Sequence, residues 1–190
     1  MKRLKIPQLC FMLVSILGTI IFPAVHAKDY IDIEWTQLIP ADDLAALMNP
    51  PDFIVDIEDG TAQDNVGALS ELGDGNEVAM RFQAALQSNR VIDAFNDQNI
   101  RLPGFIVPIA SDENQQVTAF FIVPYFGACL HLPPPPPNQI IYVEYAQGIA
   151  VPNIQAPFWF TGTIIIDQNE NELGTSAYTM QIDSITPYEG

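Results

Sequence analysis

Five stretches between Asn99 and Ile185 carry β-branched and aromatic residues in short runs: NIRLPGFIVPI, QVTAFFIVPY, NQIIYVEYA, FWFTGTIIID and SAYTMQIDSI. Clusters of Pro, Gly, Asn and Asp bound each run, which is the pattern of strands separated by turns. The links SDENQ and QNENELG have the composition of hairpin turns. Glycine interrupts two of the runs, in GFIV and in TGTIII, where a barrel wall must coil sharply to close. The fold class this predicts is mainly β within an α+β frame: a five-stranded, partly open barrel of the OB type over residues 99–190. A β-sandwich is the alternative.

The preceding segment, residues 28–98, reads differently. IDIEWTQLIP is strand-like, ADDLAALMN predicts one or two helical turns, and Pro50-Pro51 ends them. TAQDNVGALSELGDGNE is acidic and glycine-bearing, so it reads as a loop or frayed helix. In EVAMRFQAALQSN, Val78, Phe82 and Ala85-Leu86 recur at helical spacing and predict a helix that packs through them. VIDAFNDQN either continues that helix or forms a separate turn. Residues 28–98 are therefore expected to be a helical segment wrapping the barrel.

Residues 1–27 have the form of a secretory signal: Lys2, Arg3 and Lys5, an apolar run from Cys10 to Phe22, and Val25-His26-Ala27 before the cut. Cleavage after Ala27 and a periplasmic location are expected, with an uncleaved anchor as the alternative. Cys10 does not read as a lipid-attachment site, because Leu9 precedes it where a small residue belongs. Removing these 27 of the 190 residues leaves 163, the size of one domain. Its 23 acidic residues then face only Lys28, Arg81, Arg90 and Arg101, a balance of −19. Nucleic acid and anionic membrane surfaces draw affinity from clustered Lys and Arg, so nucleic acid is excluded as a partner and strong binding to anionic membranes is disfavoured.

Several motifs fail on their chemistry. Gly73 and Gly75 lack a preceding strand, and Asp74 and Glu77 would repel a pyrophosphate. DQNENELG has Glu172 at the turn-glycine position of a calcium loop and Tyr178 at its bidentate position, so it reads as a hairpin. No G-x-S-x-G or H-E-x-x-H is present.

What remains is GACLHLPPPPPNQ. After cleavage Cys129 and His131 are the only thiol and the only imidazole, two residues apart. In extended chain, such positions point to one side. A thiolate and a neutral imidazole suit zinc or copper. Glu144 is the candidate third ligand, with Asp112, Glu113, Met180 or water as further donors. Gly127 allows close backbone approach before the pair. Pro133, Pro134, Pro135, Pro136 and Pro137 are expected to hold a polyproline II rod of about 15 Å at about 3.1 Å per residue. With Asn138 and Gln139 they would wall or support the site. A buried inert thiol beside a core histidine also accounts for the pair, and so does a Cys/His nucleophile lacking an identified orienting group. The proline rod would alternatively dock in an aromatic groove of a partner.

On the segments IEWTQLIP, RLPGFIVPI, FFIVPYFGACLHLPPPPPNQIIYV and FWFTGTIII, with AYTM and TPY near the end, the chain resembles the exported proteins of the domain of unknown function 3299 family. That resemblance implies a periplasmic or lipid-anchored protein whose genes lie near ABC-type export components and zinc-responsive genes, and it implies no established activity. Cys129 and His131 match the suspected functional positions of the family motif. The expected function is a zinc- or copper-binding accessory of a transport or metal-homeostasis system. The alternatives are a metal-free module partnering an ABC-type transporter and a thiol enzyme.

Overall fold

The computed structural model describes residues 28–52, 76–128 and 134–189. The leader over residues 1–27, nearly all of the acidic loop with its Gly73-x-Gly75, and Cys129, His131 and Pro133 lie outside the described residues. The elements are β1 (Ile31–Asp32), α1 (Ala41–Leu47), α2 (Glu77–Leu86), β2 (Gln98–Ser111), β3 (Val117–Val123), β4 (Ile141–Ile149), β5 (Phe158–Ile165), β6 (Asn169–Asn171), β7 (Gly174–Ser176) and β8 (Tyr178–Pro187). Among the described residues no helix is long and apolar enough to cross a membrane.

The five long strands form the small barrel. Their order is β2-β3-β4-β8-β5, and β5 pairs back onto β2 to close the circuit. β2 serves two neighbours in turn: Gln98 to Gly104 pair with β5, and Phe105 to Ser111 pair with β3. β4 and β8 run parallel, whereas the other four pairings of the barrel are antiparallel. This is the strand order of a five-stranded Greek-key barrel of the OB type, not that of two packed sheets. Both predicted hairpin turns are present. Asp112 Oδ1 accepts the N–H groups of Asn114 and Gln116 in the β2–β3 turn, and β6 and β7 make a two-stranded ribbon between β5 and β8.

Ile100, Leu102, Phe120, Ile122, Phe160 and Ile164 fill the interior with full burial. Each contributes roughly 1.5–3 kcal/mol by leaving water. Two glycines let strands approach where a side chain would collide. A Cβ on Gly162 would fall on the carbonyl oxygen of Gln181, and one on Gly104 would lie 2.7 Å from Ile122 Cγ2 and 3.2 Å from the Trp35 ring. The space at Gly104 is occupied by Trp35, whose indole N–H donates to the Pro103 carbonyl at 2.7 Å.

β3 departs from simple alternation, because Phe120 to Val123 are all buried. Phe120 and Ile122 face the barrel interior, while Phe121 and Val123 join Ala128 and Ile140 in a second apolar cluster on the outer face. The chain therefore covers this side of the barrel with its own β3–β4 connection.

The N-terminal segment departs from expectation in two places. The strand expected over IDIEWTQLIP is confined to Ile31–Asp32, which lies parallel to β2, and Trp35–Gln37 is a 3-10 turn. The turn follows from tertiary partners: Trp35 docks on Pro103, and the Leu38 carbonyl accepts the Tyr178 hydroxyl at 2.9 Å. In α2 the buried positions are Ala79, Phe82 and Ala85, whereas Val78 is 56% exposed and does not pack as its spacing implied. Asn76 caps this helix by accepting the N–H groups of Val78 and Ala79. VIDAFNDQN forms a separate 3-10 turn, Asp93–Phe95.

An ion-pair network joins α1, α2 and the chain after α2. Asp43, 1% exposed, accepts from Arg81 at 2.7 Å, from Arg90 at 3.2 Å and from the Ser88 hydroxyl at 2.6 Å. Asp42 pairs with the same two arginines from the surface.

Candidate functional site

The β3–β4 connection, residues 124–140, carries the motif singled out in the sequence. Its entry is a turn in which the Ala128 N–H reaches the Tyr125 carbonyl at 3.4 Å and Gly127 takes φ 78°, in the left-handed region. Ala128 is fully buried in the outer cluster, so the chain leaves the turn from a fixed point.

Its exit is held more firmly. Asn138, fully buried, donates its amide to the Arg90 carbonyl at 3.0 Å. Gln139 donates to the Trp35 carbonyl at 2.9 Å. The Pro137 carbonyl accepts the Ala177 N–H at 2.8 Å. Asn138 and Gln139 thus act as supports, tying the wrapping segment and β8's approach to the proline run. Asn138 Oδ1 and Ser176 Oγ are buried and without a hydrogen-bond partner among the described residues.

The expected five-proline rod is shortened at this end. Pro136 has polyproline II angles, φ −64° and ψ 158°, but Pro137 opens a 3-10 turn over Pro137–Gln139. The Gln139 N–H bonds back to the Pro136 carbonyl and the Ile140 N–H to the Pro137 carbonyl. Proline fits the first position of such a turn because no N–H is required of it there. Pro135 and Pro136 are buried and Pro134 and Pro137 half-buried, so the run is a wall built into the molecule.

Two clefts adjoin that wall, and a third lies at the entry turn. One of about 210 Å³ lies between Leu47, Phe82 and Leu86 of the helix pair and Pro134 to Pro136, with Tyr125 at its side. A second, about 430 Å³, is bounded by Leu86, Pro134, Pro135, Ile140 and Leu173. Pro134 and Pro135 line both, and stand as a ridge between them. The third, about 140 Å³ and almost wholly apolar, lies by Phe105, Val107, Phe126, Gly127, Ala128 and Ile154 at the entry turn.

The other predicted donors are dispersed. Glu144 is on the outer face of β4, where it accepts the Tyr142 hydroxyl at 3.1 Å, and it lines none of the three clefts. Burial, reinforced by this carboxylate, raises the Tyr142 hydroxyl above its ordinary range. Asp112 and Glu113 sit in the β2–β3 turn, separated from the connection by seven residues of β3, about 23 Å at 3.3 Å per residue. Met180 is 1% exposed inside the barrel, so its thioether belongs to the core and is removed from the donor set. Among the described residues no three His, Cys, Asp or Glu side chains converge to hold a metal ion. Sequence reasoning missed Leu173, Ile154 and Tyr125 as cleft residues. Leu173 alone left a signal, as an isolated apolar residue in the polar link QNENELG.

The family described as "Protein of unknown function (DUF3299)" matches residues 35–187. The crystal structure of a DUF3299 family protein from Pseudomonas aeruginosa PAO1 is similar, with a TM-score of 0.61 and 38% sequence identity, over 85% of this chain and 98% of that one. No curated protein matches the chain.

Proposed function

The chain belongs to the DUF3299 family, and on that premise we propose that it is an exported zinc- or copper-binding accessory protein of a transport or metal-homeostasis system, with Cys129 and His131 as ligands. One observation carries this reading. The only thiol and only imidazole of residues 28–190 lie in a five-residue stretch whose two ends are fixed, by buried Ala128 on one side and by Pro134 to Gln139 on the other. Fixed ends restrict where two ligands can move, and restricting them lowers the ordering cost of binding. The donor chemistry fits: sulfur and imidazole nitrogen match both ions. With one Cys and one His in residues 28–190, a closed set of four such ligands is not at hand, and the reading is of an open exchange site and not a closed structural zinc.

Native mass spectrometry of the purified protein tests it. One zinc or copper ion per chain is expected, lost in Cys129→Ser and in His131→Ala. Wild-type protein that stays metal-free after exposure to excess zinc and copper would remove the proposal.

A second reading is favoured by the clefts on either side of Pro134 and Pro135. In it the ridge docks on a membrane transporter component without metal. Capture of a transporter subunit that survives Cys129→Ser but is lost on replacing Pro134 and Pro135 by Ser would favour this reading over the first.

A further inference from the structure

We propose that the parting between β4 and β8 accepts, as an added strand, one extended basic polypeptide segment of a partner protein. The barrel is joined there by only two residue pairs, Ile141 with Tyr178 and Tyr142 with Thr179. Beyond them the strands have no mutual pairing. The opposite edge of β4 pairs with β3 as far as Glu144 and again, past an irregularity, at Ile149, and that of β8 pairs with β5 as far as Pro187. Among the described residues, from Val143 onward on β4 and from Met180 onward on β8, each strand therefore has an edge without a strand partner. At about 3.3 Å per residue these stretches extend about 23 Å on β4 and about 26 Å on β8. Unpaired edges of this length offer main-chain donors and acceptors to an incoming chain, and closed barrels avoid them.

The side chains at the parting supply the second element of such a site. Tyr145 and Ile149 of β4 and Ile182 and Ile185 of β8 pack against the interior but are only half-buried, so the core is partly uncovered where the two strands separate. A strand laid along either edge sets alternate side chains onto this apolar floor and turns the others outward. Main-chain bonds then provide affinity, and the floor selects the inward residues.

Charge selects the outward residues. Glu144 is exposed on β4 and Glu189 follows β8, while Asp112 and Glu113 lie in the turn that closes on Gly148 through Gln116. The four cations among the described residues, Lys28, Arg81, Arg90 and Arg101, all stand in ion pairs with aspartates. They leave these carboxylates for a partner, and an alternating sequence of apolar and cationic residues matches both faces.

The test uses the full chain, isotopically labelled, and an eight-residue alternating Lys-Val peptide as probe. Saturable amide shifts confined to residues 143–149 and 180–187 are expected. An alternating Glu-Val peptide and a Lys-Val peptide N-methylated at every second residue should each bind at least about 10-fold more weakly, the first by charge and the second by loss of main-chain donors. Equal binding of the three peptides, shifts centred on the proline-walled clefts, no binding at millimolar peptide, or pairing of these edges between two copies of the chain would each overturn the proposal. The result is independent of metal binding, since none of these residues is Cys129 or His131.

Discussion

Asn138 donates its side-chain amide to the carbonyl oxygen of Arg90 at 3.0 Å from complete burial, so a residue of the proline motif holds the wrapping segment against the barrel. Asn138→Ala should cost about 1–3 kcal/mol, because it breaks the bond to the Arg90 carbonyl and leaves a void where a fully buried side chain stood. Urea denaturation measures it. A change below about 0.5 kcal/mol, the range of neutral surface substitutions, would refute the anchoring role.

Tyr178 makes the same connection from the other side. Its hydroxyl accepts the Ile92 N–H at 2.8 Å and donates to the Leu38 carbonyl at 2.9 Å. Burial raises its pKa, partly offset by the Ile92 N–H. The folded state therefore favours the protonated phenol: this contribution is complete below the unfolded value near pH 10 and is lost as pH rises toward the folded value. Stability should fall as pH rises above about 10, the unfolded value, in wild type. Tyr178→Phe should be destabilised by about 1–3 kcal/mol at pH 7 and lose less than wild type on alkalinisation. Equal alkaline losses in the two proteins would contradict the assignment.

Asp43 and Asp42 share the same arginines but differ in exposure, at 1% and 59%. Asp43→Ala should cost about 1–3 kcal/mol, by leaving the buried Ser88 hydroxyl without its acceptor and losing the bonds from Arg81 and Arg90. Asp42→Ala should cost much less, since water and salt screen it. Hydrogen bonding to Arg90 holds the Asp42 carboxyl below its ordinary range, so its contribution is present above about pH 4 and fades as pH falls through the lowered value. Thermal melts of both variants in low and high salt provide the comparison; similar losses in the two would show that burial is not what matters.

Gly162→Ala should destabilise the barrel by roughly 1–3 kcal/mol, because its methyl group would meet the Gln181 carbonyl across the β5–β8 pairing. A folded variant with wild-type stability would mean that these strands can part without cost.

The strands were legible because each segment from Asn99 to Ile185 combined β-branched and aromatic residues with strong turn chemistry, whereas the cover on both faces of FFIV was not. The 3-10 turn at Trp35–Gln37 was not, since its causes are partners 68 and 140 positions away, Pro103 and Tyr178. Val78 misled for a related reason: helical spacing gives a face but not what the face meets. In the motif, Asn138 and Gln139 were read as support, yet the carbonyls they bind, of Arg90 and Trp35, carry no sequence signal because every residue has one.

The link between Leu38 and Tyr178 spans 140 positions and ends on the last strand. A ribosome delivers Leu38 and Ile39 long before it delivers the surface that shelters them, so the arm made first must wait greasy and unhoused until the C-terminus arrives. Chains truncated ahead of Tyr178 would keep that arm adrift, and the growing polypeptide is most prone to stick to its neighbours in the interval.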